Sequence, residues 1–253
     1  MEIGNPVACR AVWISDLHLG TKGCQAAMLL EFLQHISTPT LYLVGDILDG
    51  WRLRKKWFWP QAHNAVIQHI LQLAANGTNI TIIAGNHDEG LRDFLGLAFG
   101  NIKVLDETIH TLHDGRRFLV IHGDQFDMVV TNAKWLAYLG DHAYRTILVW
   151  NNFFNKILRR LGLSHWSLTS YLKNKVKVID RFERTLAAEA ERLGLDGVVC
   201  GHIHKAKIRD INGITYCNDG DWVESCTALI EDQDGQLQLI DWPKQRKHAA
   251  ALS

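Results

Sequence analysis

The chain has 253 residues, a length that suits one large domain or one domain with an insertion, and 47% of them are hydrophobic. Lys plus Arg number 27 and Asp plus Glu number 27, so no global field favours DNA or RNA, and nucleic acid is not an expected partner. The five cysteines form no C-x-x-C pair, which excludes a disulfide framework and fits a reducing compartment.

Met1-Glu2-Ile3-Gly4-Asn5-Pro6 lacks the basic and apolar regions of a secretory leader, and no apolar run is long enough to span a bilayer. The expected location is the cytoplasm. Residues 8–15 read as a buried strand that stops at Asp16. Helical apolar spacing follows over residues 25–36, then a second strand over residues 40–44, ending at Gly45-Asp46. Residues 60–75 read as a helix, with Pro60 in its first turn and Asn76-Gly77 as its stop. A third strand over residues 79–84 ends at Gly85-Asn86-His87-Asp88. This β-α-β-α-β order puts polar clusters at the carboxyl ends of strands, the edge where open α/β sheets bind ligands.

Asp114-Gly115, Asn212-Gly213 and Asp234-Gly235 each sit between two strand-like runs and signal three hairpins. A strand over residues 196–200 leads into Gly201-His202-Ile203-His204. Between the halves, residues 128–193 hold no proline. Gly140, Asn151, Gly162 and Ser164 divide them into three expected helices, an insertion or cap over about residues 128–194 of a single domain. Residues after Trp242 read as a frayed polar tail. The pattern implies two facing mixed sheets with helices outside.

The chemistry lies in five clusters: Asp16-Leu17-His18, Gly45-Asp46, Gly85-Asn86-His87-Asp88, His122-Gly123-Asp124 and Gly201-His202-Ile203-His204. Carboxylate, imidazole and amide are the ligands that hard and borderline divalent cations prefer. A phosphate ester repels nucleophiles, and two cations about 3.5–4 Å apart neutralise its oxygens and acidify a water. Asp46 is the candidate bridge. Asp16, His18 and His204 would complete one ion, and Asn86, His122 and His202 the other. Asp124 is expected to orient His122 from behind. Asn218, Asp219 and Asp221 could line the cleft or serve a turn.

These five clusters, in this order and spacing, resemble the calcineurin-like metallophosphoesterase family. The resemblance implies an α/β/β/α sandwich, a dinuclear centre, often manganese (with iron, zinc and magnesium as alternatives), and in-line attack by a bridging hydroxide. It implies that His87 is no metal ligand but faces the phosphoryl group and protonates the leaving oxygen. Asp88 is expected to hold its tautomer.

The chain looks most like the bacterial UDP-2,3-diacylglucosamine hydrolase branch, in Ser15-Asp16-Leu17-His18-Leu19, in Gly45-Asp46-Ile47-Leu48-Asp49-Gly50-Trp51 and in the long middle. That branch splits a pyrophosphate into UMP and a lipid monophosphate. The chain departs from it at His87, where typical members carry arginine, and in the stretch Gly201-His202-Ile203-His204-Lys205. Cations interleaved with tryptophan in the expected loop over residues 51–59, and Lys156, Arg159 and Arg160 beside Phe153 and Phe154, suit a phosphate-bearing lipid or peripheral membrane contact. Two other readings stand beside this one. One is a soluble phosphodiesterase or phosphatase acting on nucleotides or phosphoproteins. The other is a binding scaffold that has lost catalysis, which the presence of His87 opposes.

Overall fold

The computed structural model describes residues 7–126 and 168–251. The chain forms two compact units, Met1–Gly123 with Leu186–Ser253, and Asp124–Thr185. The first holds the following elements in chain order: β1 (Val7–Ala8), β2 (Ala11–Ile14), α1 (Ala26–Gln34), β3 (Ile36–Ser37), β4 (Thr40–Val44), α2 (Gly50–Lys55), α3 (Gln61–Ala75), β5 (Asn79–Ile83), β6 (Ala98–Phe99), β7 (Ile102–Leu105), β8 (Glu107–Thr111) and β9 (Arg117–Ile121). A helix α4 (Leu168–Arg192) then enters it. After it come β10 (Gly197–Cys200), β11 (Lys207–Ile211), β12 (Ile214–Asn218), β13 (Thr227–Glu231), β14 (Leu237–Asp241) and α5 (Trp242–Ala251).

Seven strands form one sheet in the order β14-β13-β2-β4-β5-β7-β6, and five form another in the order β11-β12-β10-β9-β8. Strands β2, β4, β5 and β7 run parallel, as do β9, β10 and β12. The outer pairings β13·β2, β13·β14, β6·β7, β8·β9 and β11·β12 are antiparallel. Both sheets are therefore mixed, and the fold is α/β as expected.

Strand alternation decides where the core sits. Trp13, Tyr42, Val44, Ile83 and Leu229 point one way and pack with Phe118, Val120, Val199 and Cys217 of the second sheet. Val12, Ile14, Leu41, Leu43 and Ile80 point the other way. They meet Leu29, Phe32 and Leu33 of α1 and Val66 and Ile70 of α3, each set at helical spacing. Helix, sheet and sheet thus stack in layers. The far face of the second sheet, with Leu119, Ile121, Val198 and Tyr216, is buried too. Gly197 makes room for the Phe118 ring, which a Cβ there would strike. Phe118→Ala is expected to cost about 3–5 kcal/mol in denaturant unfolding, because it empties a closed inter-sheet site. A loss below about 1 kcal/mol would contradict this packing.

Two expectations change. The tail after Trp242 is helical: Trp242 is buried against Phe32 and His35, ring centroids 5.5 Å away in each case. Asp241 accepts the Lys244 amide at 3.1 Å, and Pro243 sits where its missing N–H costs nothing. The run after Asp46, read as a loop, contains α2, whose first turn is capped by the Asp49 side chain accepting from the Arg52 amide at 2.9 Å. The expected three-helix division and residues Phe153, Phe154, Lys156, Arg159 and Arg160 lie outside the described residues, and only Leu168–Arg192 is seen as helix.

Candidate metal centre

Five of the parallel strands deliver polar clusters at their carboxyl ends: β2 gives Asp16 and His18, β4 gives Asp46, β5 gives Asn86 and His87, β9 gives His122, and β10 gives His202 and His204. The loops are tied together by main-chain bonds. Asp16, His18 and Leu19 donate their amides to Gly45, Asp46 and Ile47 at 3.0–3.1 Å, and Gly50 donates to the His87 carbonyl at 3.0 Å.

The backbone is strained here. Seven non-glycine residues among those described have positive φ, and five of them are Asp16, His18, Asp46, His202 and His204. Such conformations cost of order 1–3 kcal/mol each and gather where a structure must aim a side chain. Two glycines clear the space. A Cβ on Gly45 would overlap the His122 ring, and one on Gly85 would overlap the Asp46 carboxylate.

Asp46 lies at the middle. Its Oδ1 is 3.5 Å from His122 Nε2, and its Oδ2 is 3.8 Å from His18 Nε2 and 3.9 Å from His87 Nε2. Asp16 Oδ1 is 3.0 Å from His204 Nε2 and 3.8 Å from His18 Nε2. Asp16, His18 and His204 form one cluster of potential ligand atoms, and Asp16, Asp46 and His122 another. The His202 ring lies against His122, centroids 5.2 Å apart, and its amide donates to Asp16 Oδ2 at 2.9 Å. Asn86 is buried.

The donor set fits divalent cations. Two ligand atoms about 2.1 Å from one ion are at most ~4.2 Å apart, which the distances around Asp46 and Asp16 satisfy. Asn86 Oδ1 is buried and accepts no hydrogen bond among the described residues, an arrangement that costs free energy unless a cation meets it, and Asp16 Oδ1, also buried, faces the imidazoles of His204 and His18. His122 Nδ1 donates to the Val44 carbonyl at 2.8 Å, which leaves the Nε2 lone pair for an ion. The group that orients His122 through Nδ1 is therefore main chain. Asp124 begins a short turn (Asp124–Phe126) in the second unit.

The carboxylate facing His87 also differs from expectation. Asp88 accepts the amides of Gly85 at 2.7 Å and Ile47 at 2.7 Å, so it ties two loops together and is a structural brace. Burial and the nearby Asp46 raise its pKa. Asp49 is the residue that faces His87, with Oδ1 3.2 Å from Nδ1, while its Oδ2 is 3.5 Å from His18 Nδ1. One carboxylate thus faces both rings at the same nitrogen, and both Nε2 atoms lie within 3.9 Å of Asp46. Trp51 lies over His87, centroids 4.2 Å apart. Asp49 stands three residues after Asp46, a spacing that could have flagged it. Among the residues left open, Asp221 caps the turn after it through the amides of Val223 and Ser225, and Asn218 donates to the Gly201 carbonyl at 2.6 Å.

Burial would raise the carboxyl of Asp46, but the imidazoles of His122, His18 and His87 outweigh it and hold it below the usual range. Asp16 is held low in the same way by His204, His18 and His122. Burial would lower His18 and His204, yet their carboxylate neighbours raise both. These imidazoles therefore stabilise the metal-free fold fully below about pH 6.5 and less as pH rises through their folded values. The carboxylates stabilise it above about pH 4 and less as pH falls through theirs. An ion needs neutral imidazole, so its uptake at pH 7 is expected to release protons. Calorimetry in two buffers of different ionisation heat measures this, and equal heats would contradict it.

The calcineurin-like phosphoesterase profile matches residues 9–206. A UDP-2,3-diacylglucosamine hydrolase of Neisseria meningitidis serogroup B is 26% identical over 252 residues, 90% of this chain and 96% of that one. Another from Edwardsiella ictaluri is 26% identical over 206 residues, 77% and 75% of the two chains. A solved phosphoesterase of E. coli has 14% identity and a TM-score of 0.46, covering 91% of this chain and 98% of its own. With the family profile spanning most of the chain and all five clusters, the chain belongs to the calcineurin-like phosphoesterase family and is an enzyme that hydrolyses phosphate esters.

Proposed function

We propose that the chain uses two divalent cations to hydrolyse the pyrophosphate of a nucleotide-linked glycolipid, the UDP-2,3-diacylglucosamine for which its curated relatives are named, releasing UMP and a lipid monophosphate. The observation that carries the two-ion reading is Asp46, whose two oxygens face His122 on one side and His18 on the other. Asp16, His18 and His204 would hold one ion, and Asn86, His122 and His202 the second, with Asp46 shared. Manganese is the metal we assign. When bound, the ions supply Lewis acidity that neutralises phosphoryl oxygens and acidifies a water. The chain supplies the rest. Asp49 fixes the His87 ring, and His87, a quarter exposed at its side chain, offers a proton to the leaving oxygen.

No helix among the described residues is long and apolar enough to cross a membrane. A lipid substrate would instead be met at a surface. Trp57 is 72% exposed beside Arg54, Lys55 and Lys56, which are exposed or nearly so, a combination that favours an anionic interface.

Phosphorus NMR on UDP-2,3-diacylglucosamine with added manganese tests the reading. Appearance of UMP supports it. Cleavage of a chromogenic diester with no UMP release would retain the two-ion site and discard the lipid substrate. His87 itself favours that second reading, a phosphodiesterase of soluble nucleotides, because the hydrolase branch typically has arginine there.

A further inference from the structure

Ser15 and Asp219 do no work in the reaction as described, yet they are among the most deeply buried polar residues of the first unit. Ser15 lies between β2 and Asp16, and Asp219 follows β12. The Ser15 hydroxyl oxygen is 2.6 Å from Asp16 Oδ2 and 2.6 Å from Asp219 Oδ1, with the Gly220 carbonyl at 3.2 Å. Gly201 has no side chain where one would strike both Ser15 and Asp16.

A count of hydrogens decides what this arrangement is. A hydroxyl has one hydrogen, and it can donate to only one of the two carboxyls. The other short contact needs a hydrogen of its own, which must come from a carboxylic acid. Asp16 is not that acid: it receives the His202 amide on Oδ2 and faces the imidazoles of His204 and His18 with Oδ1, all partners of an anion. Among the described residues, the side-chain contact of Asp219 is to the Ser15 hydroxyl, and no imidazole pairs with it. Its Oδ2 is buried without a hydrogen bond among the described residues, which suits a neutral carboxyl and not an ion.

We infer that Asp219 is a neutral carboxylic acid that donates to Ser15, and that Ser15 in turn donates to Asp16, so that this relay positions Asp16 for cation binding. Burial raises the Asp219 carboxyl well above its ordinary value, in agreement with the count. The relay holds Asp16 from behind, on the oxygen opposite the one that His204 faces. It works as the outer partners of metal ligands do, by fixing a ligand that would otherwise turn. Asp219 is a positioning residue: it acts through Ser15. The role of Asp16 rests on the proposed function above, whereas the protonation of Asp219 does not.

The experiment therefore has two arms. In metal-free protein at pH 7, the infrared difference between wild type and Asp219→Asn is expected to show the carbonyl stretch of a protonated carboxyl in wild type. Its absence would overturn the inference whatever the metal does. In manganese titrations, Ser15→Ala and Asp219→Ala are expected to weaken affinity roughly 10–100-fold, as outer-partner substitutions do. Asp219→Asn is expected to stay within a few fold of wild type, because a carboxamide donates as the neutral acid does. Loss in Asp219→Asn equal to that in Asp219→Ala would show that a charge is needed and would also overturn it. If Asp219→Ala does not fold, Ser15→Ala against Asp219→Asn gives the same comparison. A protonated carboxyl in wild type with no manganese binding would instead count against the metal site itself.

Discussion

Asp46→Ala is expected to abolish hydrolysis and to cost more in metal affinity than the roughly 10–100-fold that loss of an outer partner costs. Three imidazole nitrogens lie 3.5–3.9 Å from its two oxygens, farther than a hydrogen bond allows. Without this carboxylate, Asp16 is left as the one proposed anionic ligand for two cations, and His18 and His122 no longer face a common anion. Asp46→Asn separates charge from shape. The amide keeps an oxygen for one ion, so one cation is expected to bind and the second to be lost. Stoichiometry by equilibrium dialysis checks this. Two ions in Asp46→Ala, or turnover near wild type, would remove Asp46 from the centre of the site. The effect on folding has the same sense: alanine at a positive φ of 52° is more strained than aspartate, the His87 amide loses its acceptor, and an anion that the neighbouring imidazoles stabilise is removed. Asp46→Asn, which tolerates that backbone and keeps a side-chain oxygen, is therefore the variant that separates loss of function from loss of structure.

Much of this centre was legible in the sequence, for a physical reason. A parallel strand buried on both faces reads as a short apolar run, and its carboxyl end is where the chain turns polar. Thr40–Val44 has the bounds its residues predict. The hairpins at Asp114-Gly115, Asn212-Gly213 and Asp234-Gly235 follow from turn chemistry, with Gly115, Gly213 and Gly235 all at positive φ. The sequence could not show which groups stand behind the clusters. Asp88 is adjacent to His87 in the chain, and adjacency suggested pairing. Neighbouring side chains leave a turn in different directions, however, so Asp88 points back at the Gly85 and Ile47 amides. Asp49 comes from another strand end, brought near because Gly50 bonds the His87 carbonyl. The residues after Trp242 read as a frayed tail because they are polar, but one aromatic ring docked on Phe32 is enough to anchor a helix end. Strands β6 and β7 escaped notice because two and four residues carry little periodicity.

His87→Ala is expected to keep both ions and to lose rate, by about 10²–10⁴-fold where a proton must reach the leaving oxygen. Its ring lies between Trp51, Asp49 and the His18 ring, with centroids 4.7 Å apart for the two imidazoles. The size of the loss depends on the substrate. An alkoxide is a poor leaving group near pH 7 and needs the proton, so an alkyl phosphodiester should suffer the full loss. A phosphate monoester expelled from a pyrophosphate is far less basic, so the loss there should be smaller. The ratio of the two losses therefore reads out the chemistry for which His87 is placed. Asp49→Ala is the companion variant. Because Asp49 touches both His18 and His87, it is expected to lower rate and metal affinity together, whereas His87→Ala lowers rate alone. Loss of metal in His87→Ala would make the histidine a ligand. Equal losses on diester and pyrophosphate would show that it binds the phosphoryl group and carries no proton.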